Sequence, residues 1–381
     1  MRILFVNKDN PFGIGGGDYA TRAFLLAFSG LCNGNVDVFL RDGIKPDNTI
    51  KANFIIVPER NILARIKSLF TGHLHRNVNA VKNRLAEGID YEYCVFNNSR
   101  TSTGLVKQMR SLGIKVITIH HNVEPEFVHD NTPNPIHRAL LMHLVKKAER
   151  TAWLLSDFNL FLTHQDLQAF QKLYGETKAI NGVIGAFEYT PLPPIRESST
   201  IKHHPLNLTF AITGSLCLTQ GIDGIKYFFD ELYQYLPDGA KVIISGRRPT
   251  EEITTLCSHY DNVQLIPNPD DMNDVINMAD VYICPTRLGG GLKLRVMDGL
   301  RLGLPVIAHS CSARGYDVLT GSDCLFVFNN KEEFATGLQQ IVSKLRNGTI
   351  QRDLIRQKYE TIFSYQAGIT RLRSILSLAS S

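Results

Sequence analysis

Short apolar runs alternate with stretches of helical spacing along most of this chain. In the first half, residues 3–6, 36–40, 54–57, 93–96, 115–119 and 158–162 are apolar runs of strand length. Runs this short, with little polar alternation, predict strands buried on both faces, as in parallel sheets covered by helices. Between them, residues 19–28, 103–112 and 135–155 carry apolar positions at helical spacing. Residues 191–207 are rich in proline and polar groups and break the alternation, which predicts an interdomain linker. Strand-length runs resume at 208–213, 242–245, 263–266, 281–284, 306–309 and 325–328. Helical spacing returns over 272–278, 292–302 and 351–380. The pattern predicts an α/β chain of two Rossmann-like, doubly wound domains facing a cleft. The first spans 1–190 and the second 208–364, with a terminal helix at 365–381 packing back on the first. Folds of this class bind ligands outside the carboxyl ends of their strands.

Length agrees, because 381 residues exceed one ordinary core. A composition 44% hydrophobic and 20% charged excludes a disordered chain. The net charge of +5 admits an acidic ligand without requiring nucleic acid, and no RRM-type or zinc-ligand spacing is present. Seven cysteines stand singly with no CxxC, a usage that fits free thiols in a reducing compartment. The chain opens directly on a strand-like run and has no apolar stretch of signal-peptide or membrane length, so a cytoplasmic location is expected. Residues 60–86 hold Arg60, Arg65, Lys67, Arg76, Lys82 and Arg84 with His73 and His75, and no acidic residue. Leu63, Ile66, Leu69, Phe70 and Leu74 intersperse among them. This predicts a basic amphipathic surface for anionic lipid at the cytoplasmic membrane face, and hence a lipid-linked acceptor.

The candidate chemistry concentrates between residues 281 and 308. Gly289, Gly290 and Gly291 remove every side chain from a loop between a strand and the helix expected to start at Leu292. Backbone N–H groups at such a helix start form a seat for phosphate or pyrophosphate. Lys293 and Arg295 add cations, and the Asp298 carboxylate suits ribose hydroxyls. Phosphate seat, cation and diol acceptor together describe a nucleotide-sugar pocket. Gly214 and Ser215 close another strand, and Arg247 and Arg248 follow a third, so at least one of these arginines should face the cleft. Gly16 and Gly17 lie in a glycine-rich loop at a helix start, where a phosphate can approach the backbone. His120 and His121 end the strand at 115–119; alternation sends one into the cleft and one away without saying which. Asp270, Asp271 and Asp274 suit capping of the helix at 272–278 better than metal binding, and no metal or other cofactor is expected.

Residues 281–308 resemble the donor-binding segment of the family-4-like retaining glycosyltransferases of GT-B architecture, glycosyl transferases group 1. Other segments resemble that family in the same order: Gly15-Gly16-Gly17-Asp18 after the first strand, His121-Asn122-Val123-Glu124, Ser156-Asp157 to Thr163, 210–215 and 242–247. The resemblance implies transfer of a sugar from a nucleotide-diphosphate sugar to a glycan or lipid-linked acceptor, with retention, in surface polysaccharide or glycolipid assembly. It implies that the backbone near Ile266 holds the base and that His121 lies near the transferred sugar, with His120 and Arg295 as further catalytic candidates. The chain also departs from the family. Many members carry two acidic residues eight apart around the glycine loop; here Asp298 is the second, but Gly290 stands at the first. The lysine often found after the Gly-Ser strand end is absent before Lys226, which shifts pyrophosphate charge to Arg247, Arg248, Lys293 and Arg295. A nucleotide-sugar epimerase of the same architecture and a non-catalytic nucleotide-sugar-binding homologue are the alternative readings.

Overall fold

The computed structural model describes residues 1–13, 15–58, 62, 63, 66, 77–195 and 207–377. The chain forms two compact units. One comprises Met1–Thr190 with Ser364–Ser381, and the other Pro191–Phe363.

The first unit is built on seven strands: β1 (Ile3–Asn7), β2 (Val36–Arg41), β3 (Asn53–Val57), β4 (Tyr93–Asn97), β5 (Lys115–His120), β6 (Phe158–Phe161) and β7 (Ile180–Val183). They lie in the order β3-β2-β1-β4-β5-β6-β7, and every pairing is parallel. β1 is buried along its whole length, as a central strand covered on both faces must be. β7 escapes the apolar-run argument because Asn181 and Gly182 interrupt it. A Cβ on Gly182 would lie 2.6 Å from the Ile375 side chain, so glycine there lets the last helix lie close. That helix, Tyr365–Ser377, is tied to the first unit by Tyr365 Oη donating to the Leu26 carbonyl at 3.0 Å and Arg371 Nε to the Ile184 carbonyl at 2.7 Å. The helical pattern over 351–380 is therefore split, with Arg352–Phe363 belonging to the second unit.

The second unit holds β8 (Thr209–Ser215), β9 (Lys241–Arg247), β10 (Val263–Pro267), β11 (Val281–Cys284), β12 (Val306–His309) and β13 (Leu325–Phe328). Their order is β10-β9-β8-β11-β12-β13, again all parallel. In both sheets the strand order reverses once, between β1 and β4 and between β8 and β11. These reversals open a crevice at the carboxyl ends of the two strands that flank them.

Two expectations need revision. The start of the predicted linker is docked on the second unit, where Pro193 and Pro194 carbonyls accept from Arg356 at 3.0 Å and Asn277 at 3.0 Å; residues 196–206 lie outside the described residues. Of the basic run at 60–86, Arg60, Arg65, Lys67, His73, His75 and Arg76 also lie outside them. Arg84 is held inward by Asp37 at 2.9 Å and Tyr91 at 3.2 Å, so it is not a lipid-facing charge.

Candidate functional site

The glycine loop of the second unit lies beside that unit's strand-order reversal. It follows β11, and the end of β8 is its neighbour. The predicted helix at 292–302 is shorter than its apolar spacing implied, running only Arg295–Leu300. Lys293 is the physical reason. Its Nζ reaches back to the Gly290 carbonyl at 2.9 Å, while Tyr316 Oη donates to the Lys293 carbonyl at 2.8 Å. Leu292 and Lys293 are thereby kept out of the helix. A six-residue helix beginning four positions after Gly291 supplies little dipole at the loop, so the expected helix seat is replaced by bare backbone. The N–H groups of Gly289, Gly290 and Gly291 donate no backbone hydrogen bond among the described residues. Gly291 is buried, and buried N–H groups without partners are rare unless water or a ligand satisfies them.

Arg295 closes the same site. A Cβ placed on Gly214 would lie 2.1 Å from Arg295 Cζ, so only glycine lets the guanidinium lie against the end of β8. Cys284, Pro285, Thr286 and Arg295 line one small concavity with Gly214. No ion pair to Arg295 is present among the described residues. The structure thus brings together Gly214, Gly289–Gly291 and Arg295. Asp298 instead pairs with Arg301 at 2.8 Å, and a ribose would have to share that carboxylate. Ser215 Oγ lies 3.5 Å from Cys217 Sγ. Arg247 ends β9 and Arg248 follows it with φ 49°, its N–H donating to Asn268 Oδ1 at 2.8 Å. Both arginine side chains are exposed. The Ile266 carbonyl accepts from Ser245 Oγ at 2.8 Å. Asp271 caps the helix Met272–Asn277, its side chain accepting from Asn273 N at 2.8 Å, as acids at a helix start do.

The glycine loop of the first unit is arranged differently. Gly15 precedes the helix Gly16–Leu31. Asp18 folds back over the loop, accepting from the Asn10 N–H and the Gly15 N–H, each at 2.9 Å. The loop therefore carries its own carboxylate beside Gly16 and Gly17, and an approaching phosphate meets negative charge there.

The two histidines separate cleanly. His120 is 1% exposed. Its ring stacks on Phe161 with centroids 4.8 Å apart, and Nε2 meets Asn159 Oδ1 at 3.0 Å. Burial pushes its pKa down to about 3, so it is a neutral core group. This corrects its place among the catalytic candidates: a side chain sealed under Phe161 and Phe170 cannot reach a sugar. His121, one residue past the strand, turns to the other side and is half-buried. Its Nε2 meets Asn97 Oδ1 at 2.8 Å, and Phe24 packs edge-on at 5.8 Å. Burial, then the Lys8 charge, push its pKa down to about 4 against the pull of Glu124.

Glu124, which the sequence singled out beside the histidines, is 1% exposed, pairs with Arg100 and accepts from Asn98 Nδ2 at 2.8 Å; its partners Asn98, Arg100 and Glu149 carried no signal in the sequence. Asn98 has φ 111°, a conformation that costs on the order of 1–3 kcal/mol for a residue with a side chain. Glu149 accepts from the Glu124 N–H at 2.9 Å and from Tyr174 Oη at 2.7 Å; burial raises its pKa to about 8. Asn97 and Asn98 directly after an apolar strand were the one visible cue.

Comparison with known proteins now bears on this geometry. Residues 207–344 match the family described as glycosyl transferases group 1. An uncharacterized glycosyltransferase of Haemophilus influenzae is 24% identical over 181 residues, which are 46% of this chain and 50% of that protein, so the match spans half the relative's length. Sucrose-phosphate synthase from Thermosynechococcus elongatus aligns with a TM-score of 0.71 at 15% identity, over 100% of this chain and 99% of that one. Anabaena HepE in complex with UDP aligns with a TM-score of 0.65 at 12% identity, over 99% of this chain and 100% of that one. At such identities the structural likeness speaks to the fold. This chain has the GT-B fold of glycosyltransferases and carries a glycosyl transferases group 1 domain over residues 207–344.

Proposed function

We propose that this protein transfers a sugar, with retention, from a nucleotide-diphosphate sugar to an acceptor hydroxyl. The observation that carries the reading is the pairing, at the strand-order reversal of the second unit, of loop N–H groups and an Arg295 guanidinium that have no backbone acceptor and no acid partner among the described residues. Negative charge grows on the diphosphate as the anomeric bond breaks. Donors fixed before the reaction stabilise that charge without reorganising. Arg295 and the N–H groups of Gly289–Gly291 are the donors proposed for the diphosphate, with Arg247 and Arg248 as exposed cations nearby in sequence to the β9 end. HepE was solved with UDP, and UDP is the nucleotide proposed first here. His121 is proposed to act at the transferred sugar, as a neutral imidazole forming hydrogen bonds. The cations fill the role that a divalent ion would take, so transfer is proposed to be metal-independent; full activity in excess chelator is the expected result, and activity restored only by magnesium or manganese contradicts it.

The test is a panel of UDP-, GDP-, ADP- and dTDP-sugars. One nucleotide class should raise the melting temperature of the wild-type protein, and at the same concentration raise that of Arg295→Ala less. No stabilisation by any of them would overturn the reading. Conversion of the donor sugar with no acceptor present would identify an epimerase instead.

A role in surface polysaccharide or glycolipid assembly is part of the proposal, with a lipid-linked acceptor met at an anionic membrane surface. Helix Pro135–Leu155 supports it among the described residues. None of its residues 135–144 is buried. Ile136 and Leu140 are 81% and 46% exposed, and Arg138, Lys146 and Lys147 follow with no acidic residue before Glu149. An apolar tip beside cations fits the headgroup boundary of anionic bilayers. Sedimentation with phosphatidylglycerol vesicles, lost on Ile136→Asp with Leu140→Asp, is the expected outcome; equal binding to phosphatidylcholine vesicles contradicts the charge argument.

A further inference from the structure

His121 has a partner that no sequence motif announces. Asn97 ends β4, beside the strand-order reversal of the first sheet, and is fully buried. Its register partners are Asn7 on β1 and Ile119 on β5, so the chain has just left β5 when it reaches His121. The Asn97 carboxamide makes two contacts. Oδ1 lies 2.8 Å from His121 Nε2, and Nδ2 donates to Thr21 Oγ1 at 2.8 Å. Thr21 is itself fully buried on the helix Gly16–Leu31. A carboxamide with its N–H₂ engaged on one side presents its oxygen on the other. In this orientation of the carboxamide its oxygen faces the imidazole, and an oxygen can only accept, so the nitrogen facing it carries the hydrogen.

We propose that Asn97 is a positioning residue for His121, holding the imidazole as the Nε2–H tautomer and leaving Nδ1 as a hydrogen-bond acceptor. Thr21 anchors the far end of the carboxamide, and Phe24, packed at a steep angle to the imidazole, limits rotation of the ring. Nδ1 has no partner among the described residues, and the residue is only half-buried. The ring is thereby set to accept from an O–H or N–H group of a ligand and not to donate to a ligand oxygen. The same logic governs histidines in other sites, where the bond made by one ring nitrogen fixes the role of the other. The proposal rests on the reading of His121 as a group acting on the sugar, and it adds both the polarity of that contact and the residue that sets it.

The tautomer can be read without any substrate, by ¹⁵N NMR of the imidazole nitrogens in the full chain near neutral pH, with His121→Gln used to assign the signals. Wild type should show a protonated Nε2 and a bare Nδ1 at His121. Asn97→Ala should lose that preference. Asn97→Asp retains the accepting oxygen and should keep it, which guards against misfolding of the alanine variant; Thr21→Val, which removes the brace, should give a mixture. A wild-type Nδ1–H tautomer, or an Asn97→Ala spectrum identical to wild type, overturns the proposal. In the transfer assay, Asn97→Ala should lower kcat by roughly 10- to 100-fold, the scale of losing a fixed orientation, with KM for the nucleotide sugar changed less than about twofold. Normal kcat with the expected tautomer shift would remove His121 from the chemistry and overturn the functional reading, while the positioning of the ring by Asn97 would stand on the spectra.

Discussion

Both units end strands at a reversal of strand order, and both follow a strand with a glycine-rich loop, yet the two places are finished in opposite ways. In the first unit the groups bond to one another. Asp18 takes the N–H groups of Asn10 and Gly15, Asn97 joins His121 to Thr21, and Glu124 is held by Asn98 and Arg100. In the second unit the N–H groups of Gly289–Gly291 donate no backbone hydrogen bond and the Arg295 guanidinium has no ion pair among the described residues. Glycine content alone does not distinguish them; what else reaches the loop does. A site that has satisfied its own donors suits shape and hydrogen-bond recognition, whereas one with open donors and positive charge suits a diphosphate.

The largest effect expected on the first side of this contrast is structural. His120→Ala should lower the unfolding free energy by roughly 2–4 kcal/mol, because it empties space beneath Phe161 and Phe170. Nucleoside diphosphate binding by the folded fraction should be unchanged. Denaturant melts with UDP titration check this, and an unaltered melt would mean that the ring is not part of the core.

On the second side, Arg295→Ala should weaken UDP binding by roughly 1.5–3 kcal/mol, on the order of ten- to a hundredfold in Kd. Calorimetry measures it directly. An unchanged Kd would take Arg295 out of the site and leave the open loop without its cation.

The histidines also set a dependence on pH. Folded pKa values of about 3 for His120 and about 4 for His121 lie below the usual value of about 6.5. As pH falls below about 6.5 the unfolded chain takes up these protons first, so stability is lost, by about 1.4 kcal/mol per pH unit for each group. Glu149, raised to about 8, acts in the other direction, because stability is lost as pH rises from its unfolded value toward 8. The difference between wild type and His120→Gln isolates one proton: the variant should lose less stability between pH 6 and pH 4, and parallel curves would refute the buried neutral ring.

The smallest effect expected is at Asp18. Asp18→Ala removes a helix-start acceptor and should cost about 1 kcal/mol of stability, with UDP affinity changed less than in Arg295→Ala. A larger loss of UDP affinity at Asp18 than at Arg295 would reverse the comparison.

The sheets were legible because fully buried parallel strands leave uninterrupted apolar runs such as 3–6 and 281–284. β7 was not, since Gly182 answers to the helix packed on it and Asn181 to Asn159 on the neighbouring strand, at 3.1 Å, and not to a strand pattern. Gly289–Gly291 and Arg295 stood out in the sequence, but the helix start did not, because Lys293 and Tyr316 hold the intervening backbone through contacts of a kind that periodicity does not encode. Alternation along β5 and just past it sends His120 and His121 to different sides without saying which is sealed, and the aromatic cluster contributed by β6 and the helix His164–Tyr174 seals His120. Asn97, Asn98, Arg100 and Glu149 act through partners between 2 and 76 positions away, and single-residue cues do not reveal such pairs.

Amide hydrogen exchange with and without UDP tests the central contrast most directly. Saturating UDP should slow exchange at Gly289, Gly290 and Gly291 more than at any amide between Gly15 and Asp18. Protection concentrated at 15–18, with none at 289–291, would contradict the assignment of the open loop in the second unit as the diphosphate site.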